Sequence, residues 1–329
     1  MNRKYSELAE LFRSEKTDEE ILDFLLNFHK NDIADMMAGM TEEERKRLYH
    51  LLGAQKTAEI FKYIEDPRKY IRELTVESAA RVISEMDSDD AVDLLENLDP
   101  EEKEQIVRML DEDAKKDVKM LLSYDEEEIG SCMTTNYICI PENLSIKQAM
   151  SELVKQAGEN DNIMTIYVVD EKDVFAGAID LKDLIRAREN AHLDALVLKS
   201  YPYVTDHEKI DECMDRILDY AEDSIPVLSA DKKILGVITS EDLIEMVDNE
   251  MGEDYAKLAG LTAEEDLKEP IVQSMKKRLP WLIILLFLGM AVSSVVGLFE
   301  NVVAVLPIVI CFQSLVLDMA GNVGTQSLA

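Results

Sequence analysis

Hydrophobic positions recur at helical spacing through residues 5–125, and the pattern repeats. Segment 32–52 (DIADMMAGMTEEERKRLYHLL) matches segment 90–110 (DAVDLLENLDPEEKEQIVRML) at an offset of 58 residues. Thr41 with Glu44 forms a capping-box pattern, Asp99 precedes Pro100, and Asp87 stands where a further helix begins. Short helical repeats cannot bury an apolar face alone and therefore stack. The pattern predicts an all-α, superhelical domain over residues 1–129.

From Ser131 the pattern changes to strand, helix, strand, strand, helix, and this order occurs twice. The two copies align residue by residue: Tyr137 with Tyr201, Ile140 with Val204, Ile146 with Ile210, Met150 with Met214, Gly177 with Gly236, and Asp183 with Asp242. This pattern predicts two tandem α/β modules, over residues 130–189 and 190–249.

An acidic stretch, residues 250–278, follows the second module and is predicted to be a connecting helix. Residues 279–299 then carry no charge, and about 21 helical residues reach roughly 30 Å, the thickness of a bilayer core. A second apolar run, 301–317, contains Pro307 and Gln313. We expect an α-helical transmembrane region over residues 279–329, with a buried core helix as the alternative. We also expect it to be incomplete, because two spans enclose no pathway within one copy.

The net charge of the chain limits the classes of molecule that it can bind. The chain has 68 Asp and Glu against 35 Lys and Arg, a formal net charge of −33. Such a surface excludes an extended nucleic-acid interface, which needs clustered Lys and Arg, and it suits cations. Lys276, Lys277 and Arg278 directly precede the first apolar run, so the positive-inside rule places residues 1–278 in the cytoplasm of a multi-pass cell-membrane protein. The four cysteines show no paired or metal-ligand spacing and indicate free thiols.

Motifs of several enzyme classes are missing from the sequence. It contains no GxxxxGK[ST] phosphate loop, no HExxH zinc motif and no GxSxG nucleophile elbow. We therefore expect no enzymatic activity.

Both α/β modules resemble cystathionine-β-synthase (CBS) domains, which often bind a nucleotide between paired copies. In that family a Thr or Ser and an Asp at the start of the last helix contact ribose and phosphate. The resemblance implies Thr239 and Asp242 in the second module and Asp183 in the first, with ATP as an additional ligand. Asp180 stands where the first module would carry the hydroxyl, and a carboxylate there repels phosphate. A helix cap is the alternative role for Thr239.

Three segments of the connector and the membrane region are distinctive: GEDYAKLAG at residues 252–260, WLIILLFLGMAVSSVVGLFE at 281–300 and AGNVGTQS at 320–327. With these segments, and with the order of helical domain, paired modules, connector and apolar runs, the whole chain resembles the MgtE magnesium transporter family. The resemblance implies a homodimer in membrane lipid that conducts Mg²⁺ into the cytoplasm down its electrochemical gradient. It further implies that cytosolic Mg²⁺ closes the pathway by bridging acidic interfaces between the N-domain, the CBS pair and a connecting plug helix. Five membrane helices per subunit are expected, so further spans should lie beyond Ala329.

Local alignment with that family suggests the metal-binding residues Glu59, Asp89, Asp93, Asp211, Asp242, Glu245, Glu253 and Asp254. Within the membrane region, the candidates for the pathway lining are Asn322, Gly321, Gln326 and Asp318, because small residues let helices approach and amide oxygens can face a hydrated ion. Two other functions stay open: a membrane-anchored CBS sensor of adenine nucleotides without transport, and a membrane hydrolase whose active site lies beyond this chain.

Overall fold

The computed structural model describes residues 17–25, 27–64, 67–158, 160–188, 191–258, 271–298, 312, 315–316 and 319–324. The chain divides into two compact units, Met1–Asp242 and Leu243–Ala329. The first unit contains the helical domain and both α/β modules, and each unit is considered on its own below.

Eight helices form the described part of the N-terminal domain. They are α1 (Asp18–Leu25), α2 (Lys30–Met37), α3 (Glu42–Phe61), α4 (Arg68–Ile71), α5 (Val76–Ser84), α6 (Ser88–Glu96), α7 (Pro100–Met109) and α8 (Glu112–Leu121). Helix α3 contacts α5, α5 contacts α7, and α6 contacts α8. Leu48, Ile83 and Leu95 are fully buried between them. The all-α prediction for this region is confirmed.

The 58-residue repeat is also present in the helices: α2 and α6 begin 58 residues apart, and so do α3 and α7. Helices α2 and α6 are equivalent in position, and the capping box predicted at α3 is present: the Thr41 amide donates to Glu44 (2.8 Å) and the Glu44 amide donates to Thr41 Oγ1 (3.3 Å). Asp99 is the N-cap of α7, with Pro100 at the first helical position. Helix α3 is kinked at Gly53, whose φ is +74°. The equivalent position, 58 residues later, is Asp111, the N-cap of α8. The kink therefore divides α3 into the counterparts of α7 and α8.

Arg45 on α3 is almost fully buried and is satisfied by polar partners. Its guanidinium forms an ion pair with Glu73 and donates to the Met37 carbonyl (3.2 Å). Burial of a charge is tolerated only with such partners, so this pair fixes α3 against the α4–α5 turn.

The two modules have the predicted element order. The first contains β1 (Ile138–Pro141), α9 (Ile146–Gln156), β2 (Thr165–Val169), β3 (Phe175–Asp180) and α10 (Leu181–Arg186). The second contains β4 (Val204–Thr205), α11 (Ile210–Leu218), β5 (Ser224–Leu228), β6 (Ile234–Thr239) and α12 (Ser240–Leu258). In each sheet the first strand pairs parallel to the second, and the second pairs antiparallel to the third. The α/β prediction is confirmed for both.

Each module is entered by a segment that pairs with the other module's sheet. Thr134, which precedes β1 of the first module, bridges to Val237 on β6. Leu198, which precedes β4 of the second module, bridges to Ala178 on β3. Gly177 has φ +148°, and a Cβ there would lie 2.5 Å from the Leu198 carbonyl oxygen. A Cβ on Gly236 would lie 2.7 Å from the Thr134 carbonyl oxygen. The aligned glycines thus leave room for the two entry segments, each of which pairs with the sheet of the other module and links the two modules.

The second unit contains α13 (Ile271–Leu298), which includes Pro280. Within the residues that the structure describes, this is the one helix long and apolar enough to cross a membrane, over Arg278–Val295, by length and composition only. Of the second apolar run, only residues 312 and 315–316 are described, and they are helical. The predicted connector, 250–278, is helical at 250–258 and 271–278, and its middle lies outside the described residues.

Candidate cation-binding interface

Three helix ends meet within the first unit: the start of α6, the end of α3 and the start of α12. They bring together carboxylates and one lysine from the N-domain and the second CBS-like module. We call the following residues the interface cluster: Lys62, Asp87, Asp89, Asp90, Asp93, Glu241 and Asp242. It holds six carboxylates and a single ammonium group. Three of the predicted metal-binding residues, Asp89, Asp93 and Asp242, belong to it.

Backbone and side-chain hydrogen bonds place α6 at this position. The Thr135 amide donates to Ser88 Oγ (2.9 Å), and Asn136 Nδ2 donates to Asp87 Oδ1 (2.8 Å). Asp87 occupies the N-cap position of α6, as predicted, but its side chain makes no capping hydrogen bond. Its carboxylate is held by Asn136 instead. Since neighbouring Thr134 pairs with β6, the same short segment positions both α6 and the strand that leads to Asp242.

Asp242 is fixed by a reciprocal pair of hydrogen bonds. The Thr239 amide donates to Asp242 Oδ2 (2.7 Å), and the Asp242 amide donates to Thr239 Oγ1 (3.3 Å). This is the capping role considered for Thr239. One Asp242 oxygen is therefore occupied, and the carboxylate is held in place at the first turn of α12.

The electrostatics of the cluster are dominated by burial and like charge. Burial raises the pKa of Asp89 well above its usual value, and the Asp242 carboxylate adds the next largest contribution. Burial raises the pKa of Asp90 to about 7, although the Lys62 ammonium acts in the opposite direction. Burial also raises the pKa of Asp242, against the hydrogen bonds from Thr239. All three groups resist ionisation in the absence of an added cation.

The Cys132 thiol lies beside these carboxylates. Burial raises the pKa of the Cys132 thiol to about 11, against its hydrogen bond with Ser131, and nearby Asp93 reinforces the rise. The thiol is therefore protonated at neutral pH. Cys132, Cys139 and Cys213 are free, as the spacing indicated, and Cys311 lies outside the described residues.

Asp89 Oδ1 is buried and has no hydrogen-bond partner in the structure as described. Buried carboxylate oxygens are normally satisfied, so this atom fits a cation or a water held by one. No three His, Cys, Asp or Glu side chains among the described residues are arranged to ligate one ion directly. Mg²⁺ dehydrates reluctantly and usually keeps several waters between itself and carboxylates.

The remaining predicted metal residues lie outside the cluster. Glu59 pairs with Lys30 (2.9 Å) and lines an acidic cavity of about 550 Å³ with Asp111, Asp113 and Asp161, and this cavity borders the interface cluster at Asp87. Asp211 is exposed in the first turn of α11. Glu245 is exposed on α12, and the side chains of Glu253 and Asp254, on the same helix, lie outside the described residues.

The other predicted residues are also dispersed. Asp183 is exposed in the first turn of α10, whereas Thr239 ends β6. Gly321 and Asn322 belong to the helical stretch 319–324, and Asp318 and Gln326 lie outside the described residues. Alignment missed Asp90, Lys62 and Glu241, and it also missed Asp87, which the sequence indicated only as the start of a helix. Asp90 could have been found from its place beside Asp89 in the first turn of α6; Lys62 and Glu241 carry no sequence signal.

Comparison with known proteins agrees with this architecture. The MgtE intracellular N domain profile matches residues 28–127, and the CBS domain profile matches residues 127–190 and 194–249. The magnesium transporter MgtE of Enterococcus faecalis is 37% identical over 333 residues, covering 100% of this chain and 73% of that protein. The chain belongs to the MgtE magnesium transporter family. MgtE of Bacillus subtilis is 30% identical over 210 residues, covering 63% of this chain and 46% of the relative.

Solved structures of MgtE proteins share the fold of the cytosolic part. The soluble part of a magnesium transporter superposes with a TM-score of 0.71 at 28% identity, covering 75% of this chain and 97% of that one. The cytosolic domain of the Mg²⁺ channel MgtE in complex with ATP superposes with a TM-score of 0.66 at 25% identity, covering 73% of this chain and 99% of that one. These matches agree with a helical N-domain followed by a CBS pair.

Proposed function

We propose that this protein conducts Mg²⁺ across the cell membrane into the cytoplasm and is closed by cytosolic Mg²⁺ bound at the interface cluster. The observation that carries the proposal is the unsatisfied, buried Asp89 carboxylate oxygen beside the Asp242 carboxylate of another domain. A magnesium transporter that resembles the chain along its whole length supports the choice of ion.

Repulsion within the cluster supplies the energy for regulation. Two like charges about 4 Å apart repel by about 1 kcal/mol in water and about 4 kcal/mol at the effective dielectric near a protein surface. A divalent ion between them reverses the sign of this interaction. Because Mg²⁺ would bind only where both domains contribute carboxylates, it stabilises the compact form increasingly as its concentration rises.

The other residues with predicted roles enter as parts of the same proposal. Glu59, Asp211, Glu245, Glu253 and Asp254 would bind Mg²⁺ at further acidic surfaces, and Asn322, Gly321, Gln326 and Asp318 would line the membrane pathway. A homodimer embedded in lipid, with residues 1–278 in the cytoplasm, would complete that pathway.

An adenine-nucleotide sensor is the second candidate, because a related cytosolic domain has been crystallised with ATP. One feature of this chain opposes tight phosphate binding. Exposed Asp180 places a carboxylate at the start of α10, where it repels a phosphate group. We propose Mg²⁺ as the main regulator, with ATP secondary.

Uptake measurements test the proposal. The protein is expressed in a magnesium-starved host, and uptake is followed at low and high cytosolic Mg²⁺ for the wild type and for Asp89→Ala/Asp93→Ala. We expect transport to be retained and shut-off at high Mg²⁺ to be lost, because the compact form loses its bridging ligands. The variant Glu77→Ala/Glu101→Ala removes two exposed carboxylates elsewhere on the N-domain and should keep shut-off. Unchanged shut-off in the first variant would refute the regulatory assignment, and absence of uptake in the wild type would refute transport.

A further inference from the structure

The single ammonium of the interface cluster belongs to Lys62, the C-cap residue of α3. Lys62 Nζ lies 3.3 Å from Glu241 Oε2 of the second CBS module. It also lies 3.7 Å from Asp87 Oδ2 and 4.0 Å from Asp90 Oδ2 of the N-domain. One side chain therefore contacts carboxylates of both domains, and its position at a helix C-terminus favours a positive charge.

Lys62 stays charged at this position. Burial by itself lowers the pKa of the ammonium, but the Asp90 and Asp87 carboxylates and then Glu241 outweigh it and raise the pKa above its usual value. About 30% of the side chain is exposed, so solvent weakens the pairs without abolishing them. The cluster thus contains a permanent monovalent cation where a bridging cation would otherwise act.

We propose that Lys62 is a tethered cation that sets the Mg²⁺ concentration at which the N-domain closes on the CBS pair. This inference rests on the proposed function and concerns the regulation of the same site. The ammonium neutralises part of the repulsion at all Mg²⁺ concentrations, so fewer divalent ions are needed for the remainder. Removing it raises the Mg²⁺ requirement, and additional Mg²⁺ takes its place.

The test uses the whole protein in detergent. Protection of the N-domain from limited proteolysis is measured over a Mg²⁺ titration. For Lys62→Met, which keeps an apolar stem but removes the charge, we expect the midpoint to rise about two- to fivefold, the range of a partly exposed ion pair. Lys62→Arg keeps the charge and should retain the wild-type midpoint. Lys46→Met is the matched control, because Lys46 pairs with Glu42 one turn away on its own helix.

A double-variant cycle separates a bridge between domains from a role inside the N-domain. In a Glu241→Gln background, Lys62→Met should shift the midpoint by about half as much or less, because the partner across the interface is gone. An equal shift in both backgrounds would overturn the inference, as would a Lys62→Met midpoint equal to that of the wild type. If instead the wild type shows no Mg²⁺-dependent protection, the proposed function fails, and this outcome is distinct from failure at Lys62.

Discussion

At the scale of single residues, Asp89 carries the strongest functional signal in the structure. A carboxyl group with one buried, unpartnered oxygen is destabilising, because the desolvation of that oxygen is not offset by a hydrogen bond. Proteins retain such groups where a ligand satisfies them. Asp89 is therefore expected to lower the stability of the metal-free protein and to be compensated by Mg²⁺.

Replacing Asp89 by Asn tests this expectation. In EDTA, Asp89→Asn should raise the stability of the protein by about 1–2 kcal/mol, the range for relieving a buried unsatisfied group. The gain should vanish at saturating Mg²⁺, since the variant lacks the charge that the ion neutralises. Thermal unfolding with EDTA and with Mg²⁺ measures both quantities, and Glu77→Gln, an exposed carboxylate, is the control. A variant less stable than the wild type in EDTA would contradict this interpretation.

The raised pKa of Asp90 predicts the direction in which the stability of the protein changes with pH. Its pKa is about 7 in the folded protein against 3.8 for the ordinary group, so the folded state binds the proton more tightly than the unfolded state. Its contribution therefore favours folding on the acid side and is lost as pH rises from about 4 to about 7. In EDTA, thermal stability should fall between pH 5 and pH 8.

The control for this pH dependence is Asp90→Asn, which should reduce the fall in stability over the same interval, whereas Asp89 and Asp242, whose pKa values burial also raises, keep the remainder. Carboxylates with lowered pKa values, such as Glu42 and Glu102, change the stability mainly below pH 5 and therefore leave the interval from pH 5 to pH 8 unaffected. A stability that increases from pH 5 to pH 8 in EDTA would exclude a protonated Asp90 in the folded state.

At the scale of elements, the exchange of entry segments explains why both modules carry a glycine at the same position. Gly177→Ala would place a Cβ 2.5 Å from the Leu198 carbonyl and force a side chain at φ +148°. We expect a loss of about 2–3 kcal/mol, from backbone strain and overpacking. Thermal unfolding compares it with Gly158→Ala, where the nearest atom is 3.4 Å away. Equal effects of the two substitutions would show that the exchange contributes nothing to stability.

Sequence patterns predicted these elements well because the patterns are local or repeated. The 58-residue offset, the Thr41 cap and the paired modules depend on spacing along the chain. Contacts between distant residues do not: in the interface cluster Lys62 meets Glu241 across 179 positions, and within the N-domain Arg45 meets Glu73 across 28. A lysine at a helix end and a glutamate at a helix start are ordinary surface residues until the fold brings them together. Alignment could therefore suggest Asp89, Asp93 and Asp242 but not the cation beside them.

At the scale of the whole molecule, the net charge of −33 raises the question whether Mg²⁺ acts at a site or only screens. Screening depends on ionic strength and acts over about 10 Å at 0.1 M salt, whatever the salt is. A bridging ion instead requires specific carboxylates on two domains. The two mechanisms give different results when Mg²⁺ is replaced by NaCl at equal ionic strength.

We expect millimolar Mg²⁺ to protect the N-domain from proteolysis, and NaCl of equal ionic strength to protect it far less. Asp89→Ala/Asp93→Ala should lose the Mg²⁺ response and keep the small NaCl response, because removing two of 68 acidic residues changes the overall field little. Glu77→Ala/Glu101→Ala makes the same change in net charge and should retain both responses. If NaCl protects as well as Mg²⁺ does, or if the two double variants behave alike, the acidic residues act only through their summed electrostatic field and form no specific Mg²⁺ site. Regulation would then require a site outside the interface cluster.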